Sequence, residues 1–207
     1  MNRAIFLDRD GVLNRAFVRG GKSYPPDRVA DFELLDGVAQ ACRDLKRAGF
    51  LLVVVTNQPD VATGKQSREN VEAMHKKLRG LVPLDDILAC FHTDADNCLC
   101  RKPKPGMLNE AARRHGIDLT RSFMVGDRWK DIEAGQKAGC RCFFVDYQYK
   151  EPAPKKPFEP VAGLREVATR LLADPGIGTT SQGCETSRQP ASGPSEGPEA
   201  TSHGCEI

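Results

Sequence analysis

Five branched apolar residues in a row, Leu51-Leu52-Val53-Val54-Val55, constrain this chain more than any other stretch. A strand with one wet face alternates apolar and polar residues. A run without alternation has both faces covered, as in a parallel sheet lying between two layers of helices. This run ends at Thr56, and shorter strand candidates recur at Ala4–Leu7, Ile87–Phe91, Ser122–Val125 and Cys142–Val145. Between them lie stretches with helical spacing: Val38–Ala48 stopped by Gly49, a helix capped by Ser67 that runs through Glu72, Met74 and Leu78, Met107–His115 closed by Gly116, and Trp129–Ala138. Strands alternating with helices predict β-α-β units around a parallel sheet, an α/β fold. The proline-rich stretch Glu151–Pro160 is read as a surface crossing before a last helix near Gly163–Leu172.

The 207 residues suffice for one domain with a tail. From Asp174 the composition turns to Gly, Ser, Thr, Pro and Glu, with almost no large apolar residue. Such a segment buries too little surface to offset its ordering entropy, so the domain is expected over 1–173 and a disordered tail over 174–207. Lys+Arg 30 against Asp+Glu 28 leaves a net charge of +2, which calls for neither nucleic acid nor an anionic membrane as partner. No apolar run approaches a membrane span, and the N-terminus turns acidic at Asp8 before a signal-peptide core forms, so a cytoplasmic protein is expected. The oligomeric state stays open, with a monomer favoured.

Three polar signals fall where the expected strands end: Asp8-Arg9-Asp10, Thr56-Asn57-Gln58, and Gly126-Asp127 followed by Asp131. In an open parallel sheet the ligand crevice lies outside the carboxyl ends of the strands, so residues remote in sequence converge there. Asp8 and Asp10, two apart, are expected to point into that crevice, with Gly11 letting the chain turn away. One Asp-x-Asp alone is more often a turn or a cap than a site; three signals in this order point to chemistry. Neighbouring carboxylates repel unless a cation sits between them, and with Asp127 they offer the oxygens that Mg²⁺ prefers. Asp8 then serves as nucleophile, and Asp10 protonates the leaving oxygen and later deprotonates water. For a phosphoryl group, Thr56 offers a hydroxyl and nearby N–H groups, Lys102 a compact charge, and Arg101 a bidentate contact to a second oxyanion.

The chain has eight cysteines and no signal segment, and four soft or borderline ligands cluster as Cys90-x-His92 and Cys98-x-Cys100. Metal suits them better than disulfides, and four such ligands suit a closed, structural Zn²⁺ site. The loop runs directly into Arg101 and Lys102, so zinc is expected to hold those cations over the phosphate. Cys184 and Cys205 in the tail are read as spare thiols, with ligation as the alternative.

Together these residues resemble the haloacid dehalogenase (HAD) superfamily. The resemblance rests on Asp8-Arg9-Asp10-Gly11-Val12-Leu13-Asn14, Thr56-Asn57-Gln58, the Lys102 region and Gly126-Asp127-Arg128-Trp129-Lys130-Asp131. Cys90-Phe91-His92 and Cys98-Leu99-Cys100-Arg101-Lys102-Pro103-Lys104-Pro105-Gly106-Met107 narrow it to the branch of D-glycero-D-manno-heptose 1,7-bisphosphate 7-phosphatases and histidinol phosphatases, subfamily IIIA. It covers residues 3–147, extending to 172.

The resemblance implies a three-layer, Rossmann-like core without a separate cap domain. It implies an aspartyl-phosphate on Asp8, acid and base work by Asp10, and Mg²⁺ held by the Asp8 carboxylate, the Asp10 carbonyl and Asp127. Asp131 would order the ion's water shell. Thr56, with Asn57 and Gln58, and Lys102 would steady the phosphoryl group, while Arg101 and Arg128 contact substrate.

The reaction expected is hydrolysis of a small phosphorylated metabolite, a sugar bisphosphate in the first place, with histidinol phosphate as the near alternative. Phosphate-end processing of nucleic acid is more remote, because basic stripes and aromatic platforms are absent from the sequence. In a different class stands a zinc-stabilised, non-catalytic binding module. The loop Arg15–Pro26 departs from the branch in spacing and charge; Arg19 and Lys22 are read either as greeting a second anion or as a solvated turn.

Overall fold

A computed structural model describes residues 1–177. Its main strands are β1 (Arg3–Leu7), β4 (Phe50–Asn57), β5 (Asp86–Cys90), β6 (Phe123–Gly126), β7 (Arg141–Val145) and β8 (Glu159–Val161). These six form one wholly parallel sheet in the order β5-β4-β1-β6-β7-β8. From β1 the chain winds outward through β4 and β5, then returns to β6 on the other side of β1 and winds outward again. That reversal opens a crevice at the carboxyl ends of β1, β4 and β6. Register aligns Leu7 with Val54 on one side and Val125 on the other, so the residues just past each strand meet at one edge.

Side-chain alternation divides each central strand between two cores. Ile5, Leu7, Leu52 and Val54 face α1 (Val38–Arg47), α2 (Arg68–Leu81) and α5 (Leu164–Ala173). Ala4, Phe6, Val53 and Val55 face α3 (Gly106–His115) and α4 (Trp129–Ala138). All eight of these strand residues are fully buried, which is why the sequence shows an unbroken apolar run instead of alternation. The expected three-layer α/β core is therefore present. Ser67 caps α2 as expected, its hydroxyl accepting from the Asn70 N–H at 3.1 Å. Gly116 ends α3 in the left-handed region at φ 59°.

Two expectations need correcting. The Arg15–Pro26 segment is not an irregular loop but an antiparallel hairpin, β2 (Phe17–Arg19) and β3 (Lys22–Tyr24), turned by Gly20 and Gly21 at φ 61° and 82°. A two-residue turn with both φ positive matches the twist of a hairpin, but three-residue strands carry too little pattern to be read in advance. The Glu151–Pro160 stretch does cross the surface, yet its end joins the sheet as β8, parallel to β7. Pro160 hides this strand in the sequence; it is tolerated because an edge strand can spare one N–H donor.

Among the described residues no helix is long and apolar enough to cross a membrane. The tail expected from Asp174 enters the described residues as a short 3₁₀ turn, Pro175–Ile177, and the rest of it, with Cys184 and Cys205, lies outside them.

Candidate active site

The carboxyl edge of the sheet brings together residues more than a hundred positions apart. Asp8 follows β1, its N–H donating to the Val125 carbonyl at 3.0 Å, while Asp127 follows β6 and Asp131 sits in the first turn of α4. Close approach there depends on two glycines. A Cβ on Gly11, which lies at φ 91°, would stand 2.0 Å from Asp127 Oδ2, and one on Gly126 would stand 2.1 Å from the Asp131 Cβ. One carboxylate oxygen each from Asp8, Asp127 and Asp131 lies within 4.8 Å of the other two, and all three residues are buried.

Lys102 reaches this cluster from the loop before α3. Its ammonium lies 2.7 Å from Asp8 Oδ1, 2.6 Å from Asp131 Oδ1 and 2.7 Å from the Val55 carbonyl. Asn57 clamps the Lys102 backbone on both sides, donating to its carbonyl at 3.0 Å and accepting from its N–H at 3.1 Å. Burial opposes the charge on Lys102, but Asp131 and Asp8 outweigh it and its pKa is raised. Burial, despite the relief from Lys102, pushes Asp8 up to about 6, with Asp131 and Asp10 adding to the rise. Asp127 goes well above the ordinary carboxylate range, first through burial and then through Asp8 and Asp131. Asp127 Oδ1 is buried with no hydrogen-bond partner among the described residues. Three buried carboxylates, one with an orphaned oxygen, form a donor set suited to a hard divalent cation.

The Asp10 carboxylate is not part of this set. It faces the crevice but is gripped from behind by Arg9, whose Nη2 lies 2.9 Å from Oδ2, and by Asn14 and Gln58, each at 2.9 Å. Arg9 is fully buried and its Nη1 lies 3.1 Å from His75 Nε2. Burial, followed by the charge of Arg9, pulls His75 down to about 3, so it meets Arg9 as a neutral ring. Gln58 also donates to Thr56 Oγ1 at 3.0 Å, which puts it behind Asp10 and Thr56 instead of at the phosphate position expected for it.

The crevice walls include Asp8, Asp10, Thr56, Asn57, Lys102, Arg128 and Asp131, together with Ser23 and Pro25 from the hairpin and Lys130 from α4. Arg128 is held by Glu151, its Nε donating to Oε2 at 3.0 Å. Arg101 is not among the wall residues; its Nε donates to Asp94 of the Cys/His loop at 2.7 Å. Lys130 also approaches Asp94, at 3.4 Å. Tyr149 donates to Asp127 Oδ2 at 2.9 Å. Sequence reasoning missed Arg9, His75, Lys130, Ser23 and Tyr149 as site residues. Arg9 lies within the Asp8–Asn14 motif, Lys130 within the Gly126–Asp131 motif and Ser23 within the Arg15–Pro26 loop, but His75 and Tyr149 carry no local pattern that marks them.

The four loop ligands also come together. Cys100 Sγ lies 3.3 Å from His92 Nδ1 and 3.4 Å from both Cys90 Sγ and Cys98 Sγ; Cys90 lies 3.6 Å from His92 Nδ1 and 3.7 Å from Cys98. Around an ion with Zn–S bonds of ~2.3 Å, tetrahedral geometry sets sulfur–sulfur edges of about 3.8 Å, so the group is close to the size of such a site. Without an ion, burial pushes the Cys90 thiol up to about 11. Lys104 donates to the Cys98 carbonyl at 2.9 Å, and a Cβ on Gly106 would lie 2.2 Å from the Leu99 carbonyl oxygen, so the loop is seated firmly on the start of α3.

The HAD-hydrolase-like family model matches residues 99–168. A D-glycero-β-D-manno-heptose-1,7-bisphosphate 7-phosphatase from Haemophilus influenzae is 42% identical over 146 residues, which span 65% of this chain and 76% of the relative. The protein of that name from Escherichia coli K12 is 41% identical over 147 residues, 65% of this chain and 74% of its own length. Among solved structures, the D,D-heptose 1,7-bisphosphate phosphatase of B. bronchiseptica, complexed with magnesium and phosphate, superposes with a TM-score of 0.71 at 30% identity, covering 82% of this chain and 98% of that one. With identity at this level spread over three quarters of its relatives' length, the chain belongs to the HAD-like phosphatases, in their heptose 1,7-bisphosphate phosphatase branch.

Proposed function

We propose that this protein hydrolyses one phosphomonoester of D-glycero-D-manno-heptose 1,7-bisphosphate, the 7-phosphate for which its relatives are named, by way of a phosphoryl group carried on Asp8. The observation that supports this best is Asp8 at the carboxyl end of β1, in contact with Lys102 and beside Asp127 and Asp131. In the first step a carboxylate oxygen of Asp8 attacks phosphorus, the bond from phosphorus to the sugar oxygen breaks, and Asp10 gives that oxygen a proton. In the second step Asp10 takes a proton from water, the water oxygen attacks phosphorus, and the Asp8 carboxylate leaves as inorganic phosphate forms. Asp10 is suited to this by its place on the crevice wall two residues beyond Asp8.

Thr56 and Lys102 hold the phosphoryl oxygens, Asn57 orients Lys102 through its backbone, and Gln58 orients Thr56 and Asp10. Arg128 contacts the rest of the substrate, and Arg101 acts on the crevice wall through Asp94, which it shares with Lys130. Mg²⁺ fits the carboxylate cluster, where the orphaned Asp127 Oδ1 needs a partner; Asp8, Asp127 and the Asp10 carbonyl would hold it, with Asp131 behind. Bound there, the ion neutralises charge on the phosphoryl group. Zn²⁺ fits the Cys90, His92, Cys98 and Cys100 loop in a structural role, in keeping with a reducing, cytoplasmic setting for its thiols.

The test is phosphate release from the heptose bisphosphate, histidinol phosphate and a simple aryl phosphate by wild-type protein and Asp8→Asn. The variant is expected to fold normally and to lose activity by about 10⁴-fold or more on every substrate. Undiminished turnover in Asp8→Asn would remove Asp8 as nucleophile, and preference of the wild type for histidinol phosphate would overturn the substrate.

A further inference from the structure

The segment that follows β7 carries an unassigned connection to the carboxylate cluster. Between Asp146 and Glu151 the chain forms a strap beside the carboxylate cluster and is attached at four points. Tyr147 donates from its hydroxyl to the Gly11 carbonyl at 3.0 Å, and Tyr149 donates from its hydroxyl to Asp127 Oδ2 at 2.9 Å. The Lys150 N–H donates to the Gly21 carbonyl at the hairpin turn at 2.7 Å, and Glu151 holds Arg128. The two tyrosine rings stack with centroids 5.6 Å apart, so the hydroxyl of Tyr149 is delivered by a ring that is itself fixed.

The Tyr149 hydroxyl divides the labour of the Asp127 carboxylate. Oδ2 accepts the tyrosine hydrogen bond, while Oδ1 stays buried without a partner among the described residues and belongs to a residue clustered with Asp8 and Asp131. A carboxylate free to rotate presents either oxygen to an ion. One oxygen tied by a hydrogen bond leaves the other aimed, which lowers the cost of ordering when the ion arrives.

We propose that Tyr149 is a positioning residue for Asp127: its hydroxyl fixes Oδ2 so that Oδ1 faces the divalent cation, and the strap ties that orientation to the hairpin over the crevice. The proposal rests on the assignment of the carboxylate cluster to Mg²⁺. Removing the hydroxyl should weaken the ion without altering the chemistry once the ion is bound.

The experiment uses Tyr149→Phe, which keeps the stacked ring, with Tyr147→Phe and Asp127→Asn as references. Mg²⁺ affinity is measured by calorimetry and by the rise in melting temperature on titrating MgCl₂ into protein freed of Mg²⁺. Tyr149→Phe is expected to raise the Mg²⁺ dissociation constant about tenfold, to leave the metal-free melting temperature close to wild type, and to regain wild-type kcat at saturating Mg²⁺. Tyr147→Phe is expected to stay within about twofold of wild type, since its hydroxyl binds Gly11 and not the carboxylate. An unchanged Mg²⁺ dissociation constant in Tyr149→Phe, beside lost binding in Asp127→Asn, would overturn the positioning role alone. A wild-type protein that takes up no Mg²⁺ would instead overturn the assignment of the cluster, and this proposal with it.

Discussion

The chain builds two clusters of metal-ligating side chains by opposite routes. The thiol cluster is local: Cys90, His92, Cys98 and Cys100 lie within one loop, and their ligand atoms already lie within 4.8 Å of one another. The carboxylate cluster is assembled by the whole sheet, with Asp8 from the first strand and Asp127 and Asp131 from beyond the fourth of its six. The soft, closed set suits an ion that shapes backbone. The hard, buried set keeps an oxygen in want of a partner and suits an ion that meets substrate. The difference teaches that the first cluster should be a source of stability, and the second a strain that the finished fold tolerates.

The sharpest way to break that contrast is to remove each set in turn. Cys100→Ser, or a strong zinc chelator, is expected to lower the melting midpoint by about 10 °C or more and to depress turnover by loosening the loop that carries Lys102. Metal analysis of the native protein should find one zinc per chain, and its absence would end this half of the comparison. Asp127→Asn is expected to do the reverse, abolishing turnover while holding or raising the metal-free midpoint, because it removes a buried carboxyl whose ionisation is opposed by burial, Asp8 and Asp131.

Next in size is Gly126→Ala. Its Cβ would press on Asp131 Cβ at 2.1 Å, and a shift of the α4 start by an ångström should cost about 100-fold in kcat/KM while the thiol cluster keeps its zinc.

A smaller effect comes from pH. Asp8 lies at about 6 in the fold against 3.8 as an ordinary carboxylate, and Asp127 is also raised. The folded state therefore holds those protons more tightly than the unfolded one. For Asp8 the stability this confers is full below about 4 and is lost as pH rises through about 6, and Asp127 contributes with the same sign. Without Mg²⁺ the midpoint should fall across that window, and the stabilisation by Mg²⁺ should grow across it. A Mg²⁺ effect independent of pH from 4 to 7 would count against three crowded carboxylates.

The smallest change, Ser67→Ala, removes a cap on α2 that supplies no ligand to either cluster and should cost about 1 kcal/mol, or about 3 °C, with kcat close to wild type.

The comparison also separates what is legible in a sequence. The thiol loop reads directly, because ligand spacing within eleven residues leaves few other uses for it. The strands and helices read almost as well: Trp129–Ala138 has the boundaries its pattern predicts, and Leu51–Val55 falls inside β4. The hairpin and β8 do not read, since three-residue strands gain their stability from what they lie against and not from their own composition. Gln58 and Arg101 are expected from the sequence at the phosphate and substrate; the fold turns Gln58 onto Asp10 and Thr56, and Arg101 onto Asp94. Type and position in a motif leave the direction of a side chain open, and a neighbour from another element decides it.

By itself, then, the sequence determined a parallel sheet covered on both faces, a loop of four soft ligands, and acidic residues waiting at strand ends. Apolar runs and short ligand spacings act through local periodicity, which a linear reading preserves. Only the tertiary structure decided that Asp131 and not the Asp10 carboxylate joins Asp8 and Asp127, that Lys102 lies between two of them, and that Tyr149 ties down one oxygen. Those contacts depend on strand order and on where a strap returns across the sheet, and nothing in the spacing of residues along the chain carries that information.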